Sequence, residues 1–343
     1  MKMKFAAAIG TNLRMDEVAD HARVAEESGY SHIAYVDQPN MNPDAFVMMT
    51  VAALSTHRIH IGQGVTDPST YRPWVIANAT ASVNELSGGR AFIGIGAGGP
   101  WGKIMKPIPQ RQFREAVQFI RKYLAGEEAE FQGVKMHSAW IPRPVPIYMA
   151  ASGPRACEQS GELGDGVILS IGINPTILKW RMEYVEKGAL KAGRDPSKLD
   201  IWIQTMIYVA ESKEAARREV AAYVATQANG AYWLLRQRHK PEIEDLCQRL
   251  EREHPGIIGE FKKIYDGYDY YQHERTGAPQ GKLVTQRVID FFHLTGTPED
   301  ICEQIYKVGQ TGVKTICAAL YTIIDKKSMM REIGDRIMPH FRN

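Results

Sequence analysis

The stretch from Pro146 to Ser170 reads PIYMAASGPRACEQSGELGDGVILS and decides the fold class. An apolar run ends at Ala151, and Gly153-Pro154 then places a proline in the first turn of a helix, where prolines are common. A second apolar run begins at Gly166. Neither run alternates apolar with polar residues, which is typical of parallel strands that are covered on both faces. The stretch therefore predicts one β-α-β unit of a parallel sheet.

The same alternation of strand and helix continues in both directions along the chain. Helix starts are predicted at Asn42-Pro43, Asn174-Pro175 and Thr297-Pro298, because each pairs a capping residue with a following proline. Eight apolar runs predict strands: Lys4–Gly10, His32–Val36, His60–Gly64, Ala91–Gly96, Pro146–Ala151, Gly166–Ser170, Ile201–Val209 and Lys314–Tyr321. Eight strands alternating with helices predict an α/β fold, the (βα)8 TIM barrel.

The length of 343 residues exceeds the roughly 250 that a minimal barrel needs. We predict a single domain over residues 1–343 with long insertions after strands four and seven, at about 97–145 and 211–296. The first insertion contains a predicted helix over about Gln110–Ala125. In the second, residues 265–282 carry four tyrosines, which predict either a lid over a ligand or a dimer contact.

Composition excludes several classes of protein. The 42 basic and 39 acidic residues give a net charge of +3, and no basic block occurs, so nucleic-acid binding is not expected. The sequence contains no run of 18 apolar residues, so no membrane span is predicted. The four cysteines are far apart and form no C-x-x-C pair, so we expect no metal site, no disulfide framework and a cytoplasmic location.

A glycine-rich segment follows the fourth predicted strand, at the end where TIM barrels carry their active sites. Residues 94–99 read GIGAGG and satisfy G-x-G-x-x-G, but Pro100-Trp101 follow where a dinucleotide-binding helix would begin. Two interpretations remain open: a tight turn with close backbone approach, or a backbone platform beside a flat ligand.

Two further strand ends carry polar candidates. Ser152-Gly153-Pro154 joins a strand directly to a helix. The junction is either a plain helix cap or an anion site at the free amides of the helix start, and the following Arg155 favours a phosphate as the anion. Asp37 ends the second strand, where it is either a site carboxylate or a turn-forming cap.

Four motifs together resemble a known family. The run ELSGGR at 85–90 leads into AFIGIGAGG, and GVTDPSTYRPWVIANA at 64–79, the block at 146–170 and GTPEDICEQI at 296–305 fit as well. In this order they resemble the luciferase-like monooxygenases over nearly the whole chain. The 146–170 block is especially similar to the deazaflavin (coenzyme F420)-dependent branch, which includes methylene-tetrahydromethanopterin reductase.

The resemblance implies a cytoplasmic, commonly dimeric TIM barrel that holds a flavin or deazaflavin above the barrel mouth. Asp37 would be the catalytic carboxylate, and the Gly64–Val65 peptide bond would be cis. The cofactor would be bound by three groups of residues: Gly64, Val65 and Thr66 behind the ring, Ala97 and Gly98 beside it, and Ser152, Gly153 and Pro154 at the phosphate.

The expected function is hydride transfer between coenzyme F420 and a small organic substrate, in a homodimer. The cations Arg72, Lys103, Lys106 and Arg155 favour the anionic tail of the deazaflavin. One alternative is an FMN-dependent monooxygenase that uses a separate flavin reductase. Another is a flavin-binding protein without turnover, because Gln38 and Gly99 stand where some sugar-phosphate dehydrogenases of the family carry a histidine and an acidic residue.

Overall fold

The strands form a closed barrel, seen in a computed structural model that describes residues 1–11, 13–39, 41–98, 107–141, 143–170, 172–272 and 277–342. They are β1 (Lys4–Ile9), β2 (His32–Tyr35), β3 (His60–Gln63), β4 (Ala91–Ile95), β5 (Ala129–Phe131), β6 (Val134–Met136), β7 (Ile147–Ala151), β8 (Gly166–Leu169), β9 (Asp200–Thr205), β10 (Ile207–Val209), β11 (Leu294–Gly296) and β12 (Thr315–Ala319). Eight parallel strands close in the order β1-β12-β9-β8-β7-β4-β3-β2, which confirms the predicted TIM barrel.

Helices follow the barrel strands and fill both insertions. They are α1 (Val18–Ser28), α2 (Ala45–Ser55), α3 (Pro73–Leu86), α4 (Gln110–Leu124), α5 (Pro154–Leu163), α6 (Pro175–Lys191), α7 (Lys213–Leu235), α8 (Pro241–Glu253), α9 (Ile257–Asp266), α10 (Gln286–Phe292), α11 (Pro298–Gly309) and α12 (Lys326–Arg336). Short 3-10 helices cover Met15–Glu17, Pro196–Lys198, Tyr270–Gln272, Pro279–Leu283 and Met338–Phe341. Within the described ranges, none of the helices combines the length and apolarity that a membrane span requires.

Large rings fill the barrel interior near the amino ends of the strands. Phe92, Tyr148 and Trp202 pack edge-on or tilted against one another, and the His32 ring lies 4.8 Å from that of Trp202. A Cβ atom at Gly62 would lie 2.5 Å from the Phe92 ring, so only glycine leaves room for it. The wide rings close this end, and the cavity described below is at the other.

The β-α-β unit around α5 and α6 is packed backbone to backbone. A Cβ atom at Gly161 would lie 2.0 Å from the carbonyl oxygen of Val185, and one at Gly188 would lie 1.8 Å from that of Glu158. Larger side chains would separate the two helices, because real Cβ atoms do not approach backbone so closely. The glycines therefore fix α5 against α6, which matters for the site at the start of α5.

The seventh predicted strand, Ile201–Val209, is wrong as a single strand, because the chain leaves the barrel at Met206. The Met206 N–H donates to Nδ1 of His293 at 3.2 Å, and the carbonyl of Met206 accepts from the Leu294 N–H at 3.1 Å. The end of the second insertion thus takes the hydrogen bonds that a continuous barrel strand would use. The strand continues as β10, which pairs with β11 outside the barrel.

The predicted helix start at Asn42-Pro43 is also wrong, by two residues. Helix α2 begins at Ala45, and the side chain of Asp44 accepts a hydrogen bond from the Val47 N–H at 3.0 Å. The side chain of Asn42 instead accepts from the Thr11 N–H. Asn42 therefore ties two loops together, and the aspartate two residues later supplies the cap.

Candidate functional site

A cavity of about 750 Å³ opens at the carboxyl ends of β4 and β7. Its volume is in the range of typical small-molecule sites. The barrel supplies one wall, including Val65, Ala97 and Gly98. The start of α5 supplies a second wall, and the corner between α7 and α8 supplies the outer one.

The barrel wall is flat because small residues lie against the side chain of Val65. A Cβ atom at Gly96 would lie 3.3 Å from Cγ2 of Val65. Gly98 has a φ of +87°, and a Cβ atom there would lie 2.7 Å from Oγ of Ser69. Glycine is needed at position 98 for both reasons. The wall presents backbone and small apolar side chains, as the platform interpretation of GIGAGG requires.

The residues before and after Val65 lie behind this wall. The Gly64–Val65 peptide bond is cis, as the resemblance implied. Thr66 joins its backbone to β4, since its N–H donates to the carbonyl of Gly94 and its carbonyl accepts from the Gly96 N–H, each at 2.9 Å. Val65 is the member of the predicted Gly64–Thr66 group that lines the cavity.

The second wall is the helix end, formed by Ser152, Gly153, Pro154 and Arg155. Gly153 caps α5 and Pro154 occupies the first turn, as predicted. The first amides of a helix have no acceptor within the helix and carry partial positive charge, so they attract anions. The hydroxyl of Ser152 lies 3.5 Å from that of Ser170, which also lines the cavity. The helix end therefore offers hydrogen-bond donors and one exposed cation.

Two carboxylates define a further region, the carboxylate end, formed by Asp37 after β2 and by Asp67 and Tyr71 after β3. Thr66 Oγ1 donates to Asp37 Oδ2 at 2.6 Å, and the Tyr71 hydroxyl lies 3.5 Å from Oδ1. Asp37 is only 2% exposed and is not one of the residues that line the cavity. Burial raises the pKa of Asp37 to about 6, against the hydrogen bond from Thr66, which lowers it. Asp37 is therefore a carboxyl group that changes charge near neutral pH.

Asp67 differs from Asp37 because a turn saturates its carboxylate. Oδ1 of Asp67 accepts hydrogen bonds from the backbone N–H groups of Ser69 and Thr70, at 2.8 and 2.9 Å. The hydroxyl of Thr70 adds a bond to Oδ2 at 3.1 Å. Asp67 lines the cavity, yet its bonds fix the turn that follows β3. Asp37 is the carboxyl group here that combines burial with a pKa raised by that burial.

The outer wall comes from the proximal half of the second insertion. Trp233 and Leu234 near the end of α7 and Lys240 just before α8 line the cavity. These residues were not predicted, because nothing in the local sequence shows that this helix end returns over the barrel. Only the contact between insertion and barrel reveals it.

The tyrosine-rich segment lies away from the cavity as far as the structure describes it. The hydroxyl of Tyr265 accepts from Arg236 at 2.7 Å, and that of Tyr268 lies 2.8 Å from Oγ1 of Thr226. Tyr271 is 98% exposed, and residues 273–276 lie outside the described part. The first two tyrosines pack on α7, and none of the described residues of 265–282 lines the cavity.

Of the four cations expected near the site, Arg155 lines the cavity. The guanidinium of Arg72 instead donates to the side chain of Gln132 at 2.8 Å, in the turn between β5 and β6. Lys103, Lys106 and Gly99 lie outside the described residues. Lys240 in the outer wall is a cation at the cavity that was not expected.

An eight-stranded parallel barrel with its cavity at the carboxyl ends of the strands defines an α/β-barrel of the enzymatic type. Residues 2–315 match the luciferase-like monooxygenase family model, and the chain belongs to that family of oxidoreductases.

Three similar proteins refine this placement. The chain is 30% identical to a 5,10-methylenetetrahydromethanopterin reductase of Archaeoglobus fulgidus, over 99% of this chain and 100% of the relative. It is 32% identical to an F420-dependent hydroxymycolic acid dehydrogenase of Mycobacterium tuberculosis, over 83% of this chain and 85% of the relative. The structure of the coenzyme F420-dependent tetrahydromethanopterin reductase of Methanopyrus kandleri superposes with a TM-score of 0.77 at 24% identity, over 99% of this chain and 100% of that one.

Proposed function

We propose that this protein is a coenzyme F420-dependent oxidoreductase that transfers a hydride between the deazaflavin and a small organic substrate. The observation that carries the proposal is a cavity with a flat apolar wall at Val65 and Gly96–Gly98 and a donor-rich helix end at Ser152–Arg155. A relative named as an F420-dependent dehydrogenase, matched over 85% of its length, supports it. When bound, coenzyme F420 supplies two-electron hydride chemistry, and the protein supplies position and electrostatics.

The shape and polarity of the cavity fit a flat ring joined to an anionic chain. Val65, Ala97 and Gly98 would contact the ring, because they present little beyond backbone and methyl groups. Ser152, Gly153 and the free amides at the start of α5 would hold the phosphate. Leu234 would cover the part of the ligand that joins the ring to the phosphate, since a Cβ atom at Gly153 would lie 3.8 Å from this leucine.

In this proposal Asp37 is a group that can exchange a proton behind the barrel wall of the cavity. With a pKa of about 6, it is mostly ionised at pH 7 but retains a proton more readily than a solvated aspartate. Thr66 fixes one carboxylate oxygen, and Tyr71 lies near the other. Asp37 would set the charge of the wall behind Val65 and would exchange its proton as the charge of the bound ligand changes.

The cofactor titration separates this proposal from its two rivals. Purified protein is titrated separately with coenzyme F420 and with FMN, and binding is followed by absorbance and fluorescence. We expect saturable binding of F420 and weaker binding of FMN. Preferred FMN binding, with oxygen consumption once the flavin is reduced, would favour the monooxygenase. Tight F420 binding without reduction or oxidation of the chromophore by any candidate substrate would favour the binding protein.

We also propose that the protein is a cytoplasmic homodimer. On α2, Val47 and Leu54 are seven residues apart on one face of the helix, and they are 51% and 68% exposed. Exposed apolar residues aligned along a helix are suited to an interface. We expect sedimentation equilibrium to give twice the chain mass for wild type. The double variant Val47→Lys, Leu54→Lys should give a lower mass. Leu190→Lys, at an exposed leucine on α6, is the matched control and should leave the mass unchanged.

A further inference from the structure

Arg181 on α6 is a buried cation behind the helix end. Arg181 is only 1% exposed. Nε donates to the carbonyl of Ser152 at 3.0 Å, and Nη1 donates to the carbonyl of Ser170. These carbonyls directly follow the neighbouring strands β7 and β8. One guanidinium therefore ties together the two strand ends whose serine hydroxyls line the cavity.

The bond to Ser152 also orients the first amide of the helix end. The Ser152–Gly153 peptide is trans and planar, so its N–H points opposite to its C=O. Arg181 holds the C=O on the buried side. The N–H of Gly153 therefore points away from Arg181, toward the side on which Ser152, Gly153 and Pro154 line the cavity.

The position of Arg181 is itself fixed by the close packing of α5 and α6. Gly161 and Gly188 bring the two backbones into direct contact, so α6 cannot shift along α5 without a clash. Arg181 and the first turn of α5 consequently behave as one rigid unit. A guanidinium with its planar fork suits this task better than a lysine, which offers a single nitrogen.

Arg181 also contributes charge. Burial lowers its pKa to about 10, which leaves the side chain protonated at neutral pH. A cation in a low-dielectric setting acts over longer distances than a solvated one. It reinforces the partial positive charge of the helix start and the charge of Arg155 at the cavity rim.

We infer that Arg181 is a positioning residue for phosphate recognition: it aims the Ser152–Gly153 peptide and the serine pair at the phosphate of a phosphorylated flavin-type cofactor without touching it. The inference rests on the proposed cofactor site and adds the group that organises it. It assigns discrimination between phosphorylated and unphosphorylated chromophores to a residue that does not line the cavity.

The test compares ligands with and without the phosphate; the F420 pair also differs in the anionic tail, so the FMN and riboflavin pair isolates the phosphate itself. Dissociation constants are measured by fluorescence titration for F420 and its phosphate-free chromophore, 8-hydroxy-5-deazariboflavin, and for FMN and riboflavin. For Arg181→Met we expect at least a tenfold loss of affinity for the phosphorylated member of the pair that wild type prefers, and less than a threefold loss for the unphosphorylated member. For Arg181→Lys, which keeps the charge but not the fork, we expect a selective loss of about threefold to tenfold.

Arg194 provides a matched control for a purely structural role. Its Nη1 donates to the carbonyls of Gly161 and Glu162 at 3.0 and 3.1 Å. Arg194 therefore stabilises the carboxyl end of α5, away from the cavity. Arg194→Met should change the affinity for both members of a pair equally. The inference would be overturned if Arg181→Met lost affinity equally for both members of a pair. It would also be overturned if Arg181→Lys kept the wild-type ratio of the two dissociation constants. If Arg181→Met does not fold, the ratio in Arg181→Lys decides.

The two proposals can fail separately. If wild type prefers FMN, the F420 proposal is wrong, and the ratio between FMN and riboflavin still tests Arg181. If wild type prefers F420 but the Arg181 variants keep the wild-type ratio, only the inference about Arg181 is wrong. Binding of neither pair would contradict both.

Discussion

The helix end and the carboxylate end lie at the carboxyl ends of different strands of one barrel, and they have opposite electrostatic character. At the helix end, backbone amides, the Ser152 hydroxyl and the cations Arg155 and Arg181 offer donors. At the carboxylate end, Asp37 and Asp67 accept hydrogen bonds from hydroxyl and backbone groups. A ligand with one anionic end would therefore bind in a single orientation, because reversing it would place negative charge beside carboxylates.

The two ends also differ in what a substitution should change. The helix end offers backbone amides, a serine hydroxyl and the cation Arg155, none of which titrates near neutral pH, so variants there should alter binding. The carboxylate end contains a titratable group held by side chains, so variants there should alter turnover and pH dependence. The following predictions test this division, from the largest expected effect to the smallest.

Gly153→Val should weaken cofactor binding by about tenfold or more. Gly153 has a φ of −101°, which valine adopts readily, and a Cβ atom there meets only Leu234 at 3.8 Å. The fold should therefore persist while the added methyl groups occupy the cavity. Titration with F420 and a thermal melt measure the two effects. Gly259→Val, at an open position on α9, is the control, and equal affinities in the two variants would remove the phosphate assignment.

Asp37→Asn should lower turnover by about fivefold with little change in cofactor affinity. The amide keeps the shape and the hydrogen bond from Thr66 but cannot ionise. The effect should be moderate, because Asp37 does not line the cavity. Steady-state kinetics and a thermal melt check it. Unchanged turnover with a lower melting temperature would make Asp37 a structural cap.

The free energy of unfolding should reveal the raised pKa of Asp37. Its pKa is about 6 in the folded protein, against 3.8 ordinarily, so the folded state retains the proton that the unfolded state has lost. Wild type should therefore lose stability relative to Asp37→Asn as pH rises from about 4 to 6, by on the order of 2–3 kcal/mol, and the difference should be constant above about pH 7. Urea unfolding at several pH values measures it. A difference that does not vary with pH would show an unperturbed carboxyl group.

Tyr71→Phe should give the smallest effect. The Tyr71 hydroxyl lies 3.5 Å from Asp37 and 3.3 Å from Asp44, and its hydrogen bond lowers the pKa of Asp37 only weakly. Removing it should shift the acidic limb of the pH–activity profile upward by less than about one unit. A shift downward would mean that Tyr71 does not donate to Asp37.

How much of this could be predicted differs between the two ends. The helix end was predictable residue by residue, because a strand followed at once by Ser-Gly-Pro-Arg determines a helix start through local backbone geometry. The barrel followed from eight repeats of the same local alternation. At the carboxylate end, the sequence located Asp37 at a strand end but gave no sign of its burial or of its bond to Thr66, which comes from a different strand end.

Sequence by itself determined the alternation of strands and helices and the start of α5, since each pattern lies in residues that are close along the chain. Tertiary structure alone decided where β9 leaves the barrel, that α7 and α8 rather than the tyrosine segment cover the cavity, and that Arg181 lies behind Ser152 and Ser170. The physical reason is the same in each case. Hydrogen bonds and packing between distant segments satisfy groups whose partners cannot be identified from the residues beside them.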